Sequence, residues 1–383
     1  MKLSFLFTDF FNSEKTGGLI LILCTLVSLI LSNSVVQIDY TAFWNAKLGD
    51  HSITHCINDG LMVIFFLMIG LELKREIYVG ELSDFRSASL PIFGALGGMF
   101  LPAGIFMAFN IGTSSQSGAG IPMATDIAFA VGVMSLLGKR IPSSLKIFLI
   151  ALAVIDDLGA ILVIALFYTK TILVCNLLIS LSIFGVMLVL NRLKVNNLIP
   201  YLIGGVFMWY FMLNSGIHAT ISGVMLAFAV PFGKNNERSP SFILLHWINK
   251  PAAFLILPLF ALANTAIVID PGWYNNLTTT TSLGIFAGLI IGKPLGIWIS
   301  SLLAVKFGIS SLPEGIKWKH LFGAGLLGGI GFTMSIFITL LAFEDTALIN
   351  QAKIAVMMSS LLAGLIGFLW LRSTLLTPVV IDE

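Results

Sequence analysis

The chain has 383 residues, of which 57% are hydrophobic and only 10% are charged, and its mean hydropathy is +0.99. Soluble domains carry about a quarter charged residues, so this composition excludes a soluble globular protein. The net charge of +2 does not indicate a nucleic-acid partner. Segments of about ten residues with alternating hydrophobicity, typical of membrane β-barrels, are absent. The predicted fold class is an all-α polytopic membrane protein.

The elements follow one another almost without interruption. Residues 1–14 carry one lysine among several Phe and Leu and lack a following cleavage site of small residues, so they predict a short helix on the membrane surface. Each later apolar run approaches the roughly 20 residues that a spanning helix needs. These runs predict twelve spans: 15–33, 54–73, 88–110, 121–138, 143–168, 172–191, 197–214, 216–232, 247–269, 283–305, 322–343 and 352–375.

The distribution of lysine and arginine predicts the topology. Short cytoplasmic loops are enriched in these residues. With twelve spans, all of the 21 Lys and Arg residues lie on one side except Lys47, Lys170 and Lys353, and Lys293 lies within a span. An error in the number of spans would scramble this distribution. We therefore expect twelve helices with both termini in the cytoplasm.

Four ionisable residues lie well inside predicted spans: Asp126, Asp156, Asp157 and Lys293. Each costs about 2.5–3.5 kcal/mol at the centre of a spanning helix, so each is a candidate functional residue. A structural ion pair between helices is the alternative. However, three acids accompany one base, so at least two carboxyl groups must hold protons or bind a cation.

The adjacent acids Asp156 and Asp157 narrow the chemistry. Neighbouring residues on a helix point about 100° apart, so one side chain can face a water-filled cavity while the other faces another helix. Oxygen ligands favour hard cations, and a divalent calcium ion would want more of them, about six to eight. A small monovalent cation that competes with protons for the same oxygens is the chemistry of an exchanger.

Two predicted spans are irregular and occupy matching places, fourth and eleventh. The fourth contains Pro122 before Thr125 and Asp126, and the eleventh contains five glycines between Gly323 and Gly331. Glycine also permits close helix packing, so that interpretation stays open. Paired interruptions running in opposite directions indicate inverted repeats around a site at the middle of the membrane. Asp126 would compensate the positive helix ends and Lys293 the negative ones.

Several motifs, in order from about residue 17 to 372, resemble the NhaA family of bacterial sodium/proton antiporters. They are FFLMIGLELKRE, IPMATDIAFA, IALAVIDDLGAI, SGIHATISG, IIGKPLGI and GGIGFTMSIFI. The resemblance implies an electrogenic, pH-regulated antiporter that works by alternating access in the bacterial inner membrane. It would exchange cytoplasmic sodium or lithium for external protons. It also implies repeats at helices 3–5 and 10–12, which form a core bundle beside the other helices within a single transporter domain.

The resemblance assigns roles residue by residue. Asp156 and Asp157 match the paired acids that bind sodium or lithium and carry protons. Thr125 and Asp126 match the pair at the break of the fourth helix and are expected to take part in ion binding and proton transfer as well. Lys293 matches the lysine that pairs with the first acid of the doublet and compensates its charge. No enzyme activity and no cofactor are implied.

A second set of residues resembles the pH-responsive positions of the family: Glu72, Lys74, Arg75, Glu76 and His218. Without the resemblance, the GLELKRE segment would be interpreted as a solvated loop. Leu245 precedes His246 at a position where better-known members of the family carry an acid. We therefore expect the pH response of this protein to differ from theirs. The resemblance implies a homodimer, although the loop 33–52 is short for the β-hairpin through which such members dimerise. A sodium-coupled symporter of an organic solute is the alternative function.

Overall fold

The structure is a computed structural model that describes residues 2–169, 172–233 and 238–375. Within these residues the chain is mostly helical. Lys170 and the ends of the chain at residues 1 and 376–383, on which part of the topology prediction depends, lie outside the described residues.

The α-helices are numbered here in chain order. They are α1 Lys2–Ser32, α2 Gln37–Asn45, α3 Ile53–Val79, α4 Phe85–Asn110, α5 Ile127–Ser135, α6 Ser143–Phe167, α7 Val174–Arg192, α8 Ile199–Leu213, α9 Thr220–Ala229, α10 Pro240–Asn264, α11 Thr280–Lys306, α12 Trp318–Gly328, α13 Phe332–Ala342 and α14 Thr346–Leu375. Short 3₁₀ helices cover Glu81–Ser83, Gln116–Met123, Gly138–Arg140 and Trp273–Thr278. Single π-helical turns interrupt α3, α10 and α11 at Cys56–Leu61, Ala252–Ile256 and Ala287–Gly292.

The lengths and composition of these helices establish a multi-pass membrane protein. Among the described residues, eight helices are long and apolar enough to cross a membrane, or up to ten if each bent helix pair counts as one span. The apolar helices α8 and α9 are shorter. A mostly helical fold with several membrane spans is therefore confirmed.

Three segments differ in detail from the sequence expectations. Helix α1 runs without interruption from Lys2, where a separate short helix was expected over residues 1–14. Helix α3 continues to Val79, past the predicted end of the second span at residue 73. The loop 33–52 does contain an antiparallel hairpin, although each strand has only two residues, β1 Lys47–Leu48 and β2 His51–Ser52.

The helices separate into two compact units within the described parts of the chain. The first unit consists of Met1–Leu19, Asp84–Ala160 and Ile269–Glu383. The second consists of Ile20–Ser83 and Ile161–Val268. The first unit contains the four ionisable residues that sequence analysis places inside predicted spans, and it is where the candidate site is built.

Close packing of α4 against α11 fixes the position of Lys293 in the first unit. A Cβ atom on Gly97 would lie 2.2 Å from the carbonyl oxygen of Gly296, and one on Gly296 would lie 2.1 Å from the carbonyl oxygen of Gly97. Only glycine on both helices permits this approach of the two backbones. Because Gly296 lies one turn after Lys293, the contact holds the lysine against the middle of α4.

In the second unit, side chains from three other helices satisfy the carbonyl end of α9. Lys74 donates to the carbonyl oxygens of Phe228 at 2.9 Å and Val230 at 2.6 Å, and also to that of Ala227 at 3.3 Å. The nearby carbonyl oxygens of residues 229–231 accept from the side chains of Asn191 and Ser241. The last carbonyl groups of a helix have no partner within it, so these contacts anchor its end.

Candidate ion-binding site

The acid doublet lies in the middle of α6. Asp156 and Asp157 are each 1% exposed, and the flanking residues of the helix are apolar. A charged carboxylate that loses its water shell must be compensated by hydrogen bonds or by an opposite charge. The surroundings of Asp156 provide both.

Asp156 is contacted by side chains from two other segments. Its Oδ2 atom lies 2.6 Å from the ammonium of Lys293, and both side chains are fully buried. The hydroxyl of Thr125 lies 2.7 Å from the same oxygen and 2.9 Å from the carbonyl oxygen of Gly328, so its one proton serves two acceptors. The other oxygen, Oδ1, accepts no hydrogen bond from the described residues, which leaves one carboxylate oxygen available to a ligand.

Lys293 begins the regular part of α11, directly after the π-helical turn Ala287–Gly292. Such turns occur often at functional sites, because the extra residue redirects the side chains that follow. Besides Asp156, the ammonium donates to the carbonyl oxygen of Met123. Met123 ends the 3₁₀ helix Gln116–Met123, so Lys293 faces the negative end of that helix.

Asp126 connects the start of α5 with the start of α13. Its Oδ1 atom accepts the backbone N–H of Phe129 at 2.9 Å, which makes Asp126 the N-cap of α5. Its Oδ2 atom accepts from both the backbone N–H and the hydroxyl of Thr333, at 3.0 and 2.5 Å. The backbone N–H of Asp126 donates in turn to the carbonyl oxygen of Ile330 at 2.7 Å. One carboxyl group therefore serves the N-terminal ends of two helices.

The second interruption lies between α12 and α13, which meet at an angle of 47°. The hydroxyl of Ser360 on α14 accepts the backbone N–H groups of Gly331 and Phe332, at 3.2 and 3.1 Å. The hydroxyl of Ser335 donates to the carbonyl oxygen of Ile121 at 2.7 Å. Polar groups released by the change in direction are thus satisfied inside the protein, as the hydrocarbon region requires.

The donor set favours a small hard cation with few protein ligands. Carboxylate, hydroxyl and carbonyl oxygens surround Asp156, and such oxygens favour hard cations. Within the described parts of the chain, no group of three or more His, Cys, Asp or Glu residues is placed to hold a metal ion.

The predicted pH-responsive residues of α3 form an ion-pair group in the second unit. Arg75 lies 2.8 Å from Glu76 and 3.4 Å from Glu72. Glu72 is 3% exposed, so the solvated-loop interpretation of this segment is wrong, because α3 continues through it. Lys74 does not take part in this group and contacts the end of α9 instead.

His218 is also in the second unit, just before α9. Its side chain is partly buried, and Nδ1 lies 3.4 Å from the hydroxyl of Thr220. The structure therefore brings Thr125, Asp156 and Lys293 into direct contact and places Asp126 at the helix ends beside them. The residues predicted to respond to pH belong to the other unit.

Sequence analysis missed several groups that the structure adds. Thr333 lies within the GGIGFTMSIFI motif, and nothing in the sequence indicates that its amide and hydroxyl hold Asp126. The carbonyl groups of Met123 and Gly328 carry no residue-type signal at all. Lys353 was counted with the loops of the external side, at the very start of the predicted span 352–375, yet it is only 8% exposed and lies within α14. Its apolar neighbours in NQAKIAVMMSS were the available signal.

The chain matches the family model described as Na+/H+ antiporter 1 over residues 8–371. It is 62% identical over 380 residues to the Na(+)/H(+) antiporter NhaA of Flavobacterium psychrophilum, covering 99% of each chain. It is 58% identical over 379 residues to the NhaA protein of Cytophaga hutchinsonii, covering 99% of this chain and 98% of that one.

A solved structure of the sodium proton antiporter MjNhaP1 from Methanocaldococcus jannaschii shares the fold. The TM-score is 0.57 at 14% identity, with 98% of this chain and 99% of the other covered. The relatives are named as antiporters, which are transporters and not enzymes, and none of these findings supports the symport alternative. The chain is a member of the NhaA family of Na+/H+ antiporters.

Proposed function

We propose that the doublet Asp156–Asp157 carries the cation and the protons of the exchange. The observation that carries this proposal is the buried Asp156, whose Oδ2 is held by Lys293 and Thr125 while Oδ1 accepts no hydrogen bond from the described residues. Sodium or lithium would bind the available oxygen together with Asp157, and protons would occupy the carboxyl groups when the cation leaves. Cation and protons then compete for one site.

The neighbouring residues hold this site in place. Lys293 compensates the charge of Asp156 and the carbonyl end at Met123, and Thr125 orients the carboxylate through its hydroxyl. The carboxyl group of Asp126 accepts three hydrogen bonds. Its proposed contribution is therefore charge compensation at the ends of α5 and α13. Direct contact with the cation is assigned to Asp156 and Asp157.

The proposed architecture has twelve spans with both termini in the cytoplasm. Its inverted repeats are the predicted spans 3–5 (residues 88–168) and 10–12 (residues 283–375). In this scheme the short helices α8 and α9 are also spans. The two interruptions lie in the fourth span, residues 121–138, and in the eleventh span, residues 322–343. The 3₁₀ helix before α5 and the bend between α12 and α13 support this interpretation. The first unit of the chain, with residues 84–160 and 269–383, corresponds in content to the proposed core bundle.

Transport is proposed to be electrogenic and to occur in the bacterial inner membrane. Cytoplasmic sodium would leave in exchange for more than one external proton per cycle, driven by the proton gradient, with alternating access. The ion-pair group Glu72–Arg75–Glu76 and His218 are proposed to contribute to pH regulation. The last of these proposals is a homodimer through the hairpin β1–β2, in which each strand has only two residues.

The doublet is tested by Asp157→Asn, which keeps the shape of the side chain and removes the exchangeable proton. In everted vesicles with a preformed pH gradient, addition of Na+ or Li+ should collapse the gradient for the unmodified protein and leave it intact for the variant. Asp345→Asn, on the exposed side chain before α14, is the matched control and should behave as the unmodified protein. Normal exchange by Asp157→Asn at equal expression would exclude the assignment.

Electrogenicity is tested separately in proteoliposomes. A net charge moved per cycle is worth about 2.3 kcal/mol per 100 mV, so an imposed potential of the right sign should accelerate exchange. Exchange that does not respond to the potential would reject the proposed stoichiometry and leave sodium/proton exchange itself in place.

A further inference from the structure

Lys353 is a buried lysine that the transport scheme does not yet use. It lies in α14 and is 8% exposed. Among the lysines whose burial the structure describes, two others are buried and both have partners, Lys293 at Asp156 and Lys74 at the end of α9. Across residues 2–169, 172–233 and 238–375, the ammonium of Lys353 makes no hydrogen bond or ion pair. Lysines within membrane spans are rare, and such residues generally mark functional positions.

The position of Lys353 relates it to the second interruption. It lies seven residues before Ser360, which is two helical turns, so the two residues share one face of α14 at a separation of about 10 Å. Ser360 holds the amides of Gly331 and Phe332, and the next residue, Thr333, holds Asp126. Lys353, Ser360, Thr333 and Asp126 all belong to the first unit of the chain.

The charge of Lys353 changes the balance of the embedded groups in this unit. Three buried acids are accompanied by two buried bases, so one carboxylate is left without a protein cation when all are ionised. With an effective dielectric constant near 20, a unit charge roughly 12–15 Å from a second charged site alters the occupancy of that site about five- to tenfold, so an embedded charge can act without direct contact. The sign is repulsive for a bound cation.

We propose that Lys353 is a positioning residue for transport, whose positive charge lowers the affinity of the doublet for sodium and so promotes its release. In the topology predicted from the sequence, Lys353 lies toward the external side, which is where an exporter must release sodium. The inference rests on the proposed ion site at Asp156 and Asp157.

Proteoliposome exchange at one alkaline pH tests the role of the charge. Lys353→Met removes the charge and keeps the length of the side chain, and Lys353→Arg keeps the charge. The control is Lys306→Met, which removes an exposed charge from the last turn of α11 in the same unit. For Lys353→Met, the sodium concentration for half-maximal exchange should fall about five- to tenfold, and the maximal rate should fall because release becomes slower. The two other variants should match the unmodified protein.

Two results for the folded variants would overturn the inference. One is an unchanged half-maximal sodium concentration in a folded Lys353→Met variant. The other is the same shift in Lys353→Arg, which would indicate packing instead of charge. If Lys353→Met does not accumulate, Lys353→Gln is measured in everted vesicles. Failure of both neutral variants to accumulate, with normal Lys353→Arg, would assign Lys353 to folding and also reject the proposal.

Asp157→Asn in the same preparation separates this inference from the function on which it rests. If Asp157→Asn is inactive while Lys353→Met is unchanged, the ion site stands and the inference about Lys353 fails. If Asp157→Asn still exchanges normally, the ion site itself is misassigned.

Discussion

Replacing Lys293 by methionine removes the buried cation that faces Asp156. The ammonium and the carboxylate oxygen are 2.6 Å apart with both side chains fully buried. At an effective dielectric constant near 20 their attraction is about 6 kcal/mol, part of which offsets the cost of taking both charges out of water. Loss of one partner from a buried pair typically costs about 3–5 kcal/mol, and we expect a loss of that size for Lys293→Met.

A double substitution isolates the ion pair from general packing effects. Lys293→Met combined with Asp156→Asn leaves no uncompensated charge, so its loss of stability should be about 1–3 kcal/mol smaller than the sum of the two single losses. Thermal unfolding in detergent, followed by tryptophan fluorescence, gives the comparison, with Lys306→Met as the exposed control. Single losses that simply add, or a Lys293→Met protein as stable as the control, would refute the ion pair as a stabilising contact.

Three further substitutions test the surrounding structure. Thr125→Val removes the hydroxyl shared by Asp156 and a backbone carbonyl, so it should weaken sodium binding and cost about 1–3 kcal/mol of stability, and Thr125→Ser should restore both. Gly97→Ala places a methyl group 2.2 Å from a carbonyl oxygen of α11 and should lower the melting temperature and the transport rate, whereas Gly104→Ala, with open space around it, should do neither. Lys74→Met leaves carbonyl oxygens at the end of α9 without their donor, so thermal unfolding should detect a loss of about 1–3 kcal/mol with unchanged sodium affinity.

The main features of the site were predictable because charges inside apolar runs are rare. Asp126, Asp156 and Lys293 each interrupt such a run, and the energetic cost of that placement marks them without any structure. The same argument failed for Lys74 and Lys353, which lie near the predicted ends of spans. Hydropathy places helix ends only to within a few residues, so a buried lysine there is assigned to a loop.

The contacts between these residues could not be predicted in the same way. Thr333 and Ser360 hold the second interruption through backbone amides, and amides carry no residue-type signal. The hairpin β1–β2 was missed because two-residue strands produce no alternating pattern. Helix α3 was ended too early because the charged GLELKRE segment is polar in sequence. In the structure these charged side chains have partners, and Glu72 and Lys74 are buried.

Sodium binding as a function of pH tests the central proposal most directly. If sodium and protons share the doublet, titration calorimetry should show a sodium dissociation constant that rises as the pH is lowered. The rise should be about tenfold per pH unit for each proton that sodium displaces. Buffers with different ionisation enthalpies should report proton release on binding, and Asp157→Asn should abolish both effects. A dissociation constant that does not change with pH, together with no proton release, would contradict competition at Asp156 and Asp157.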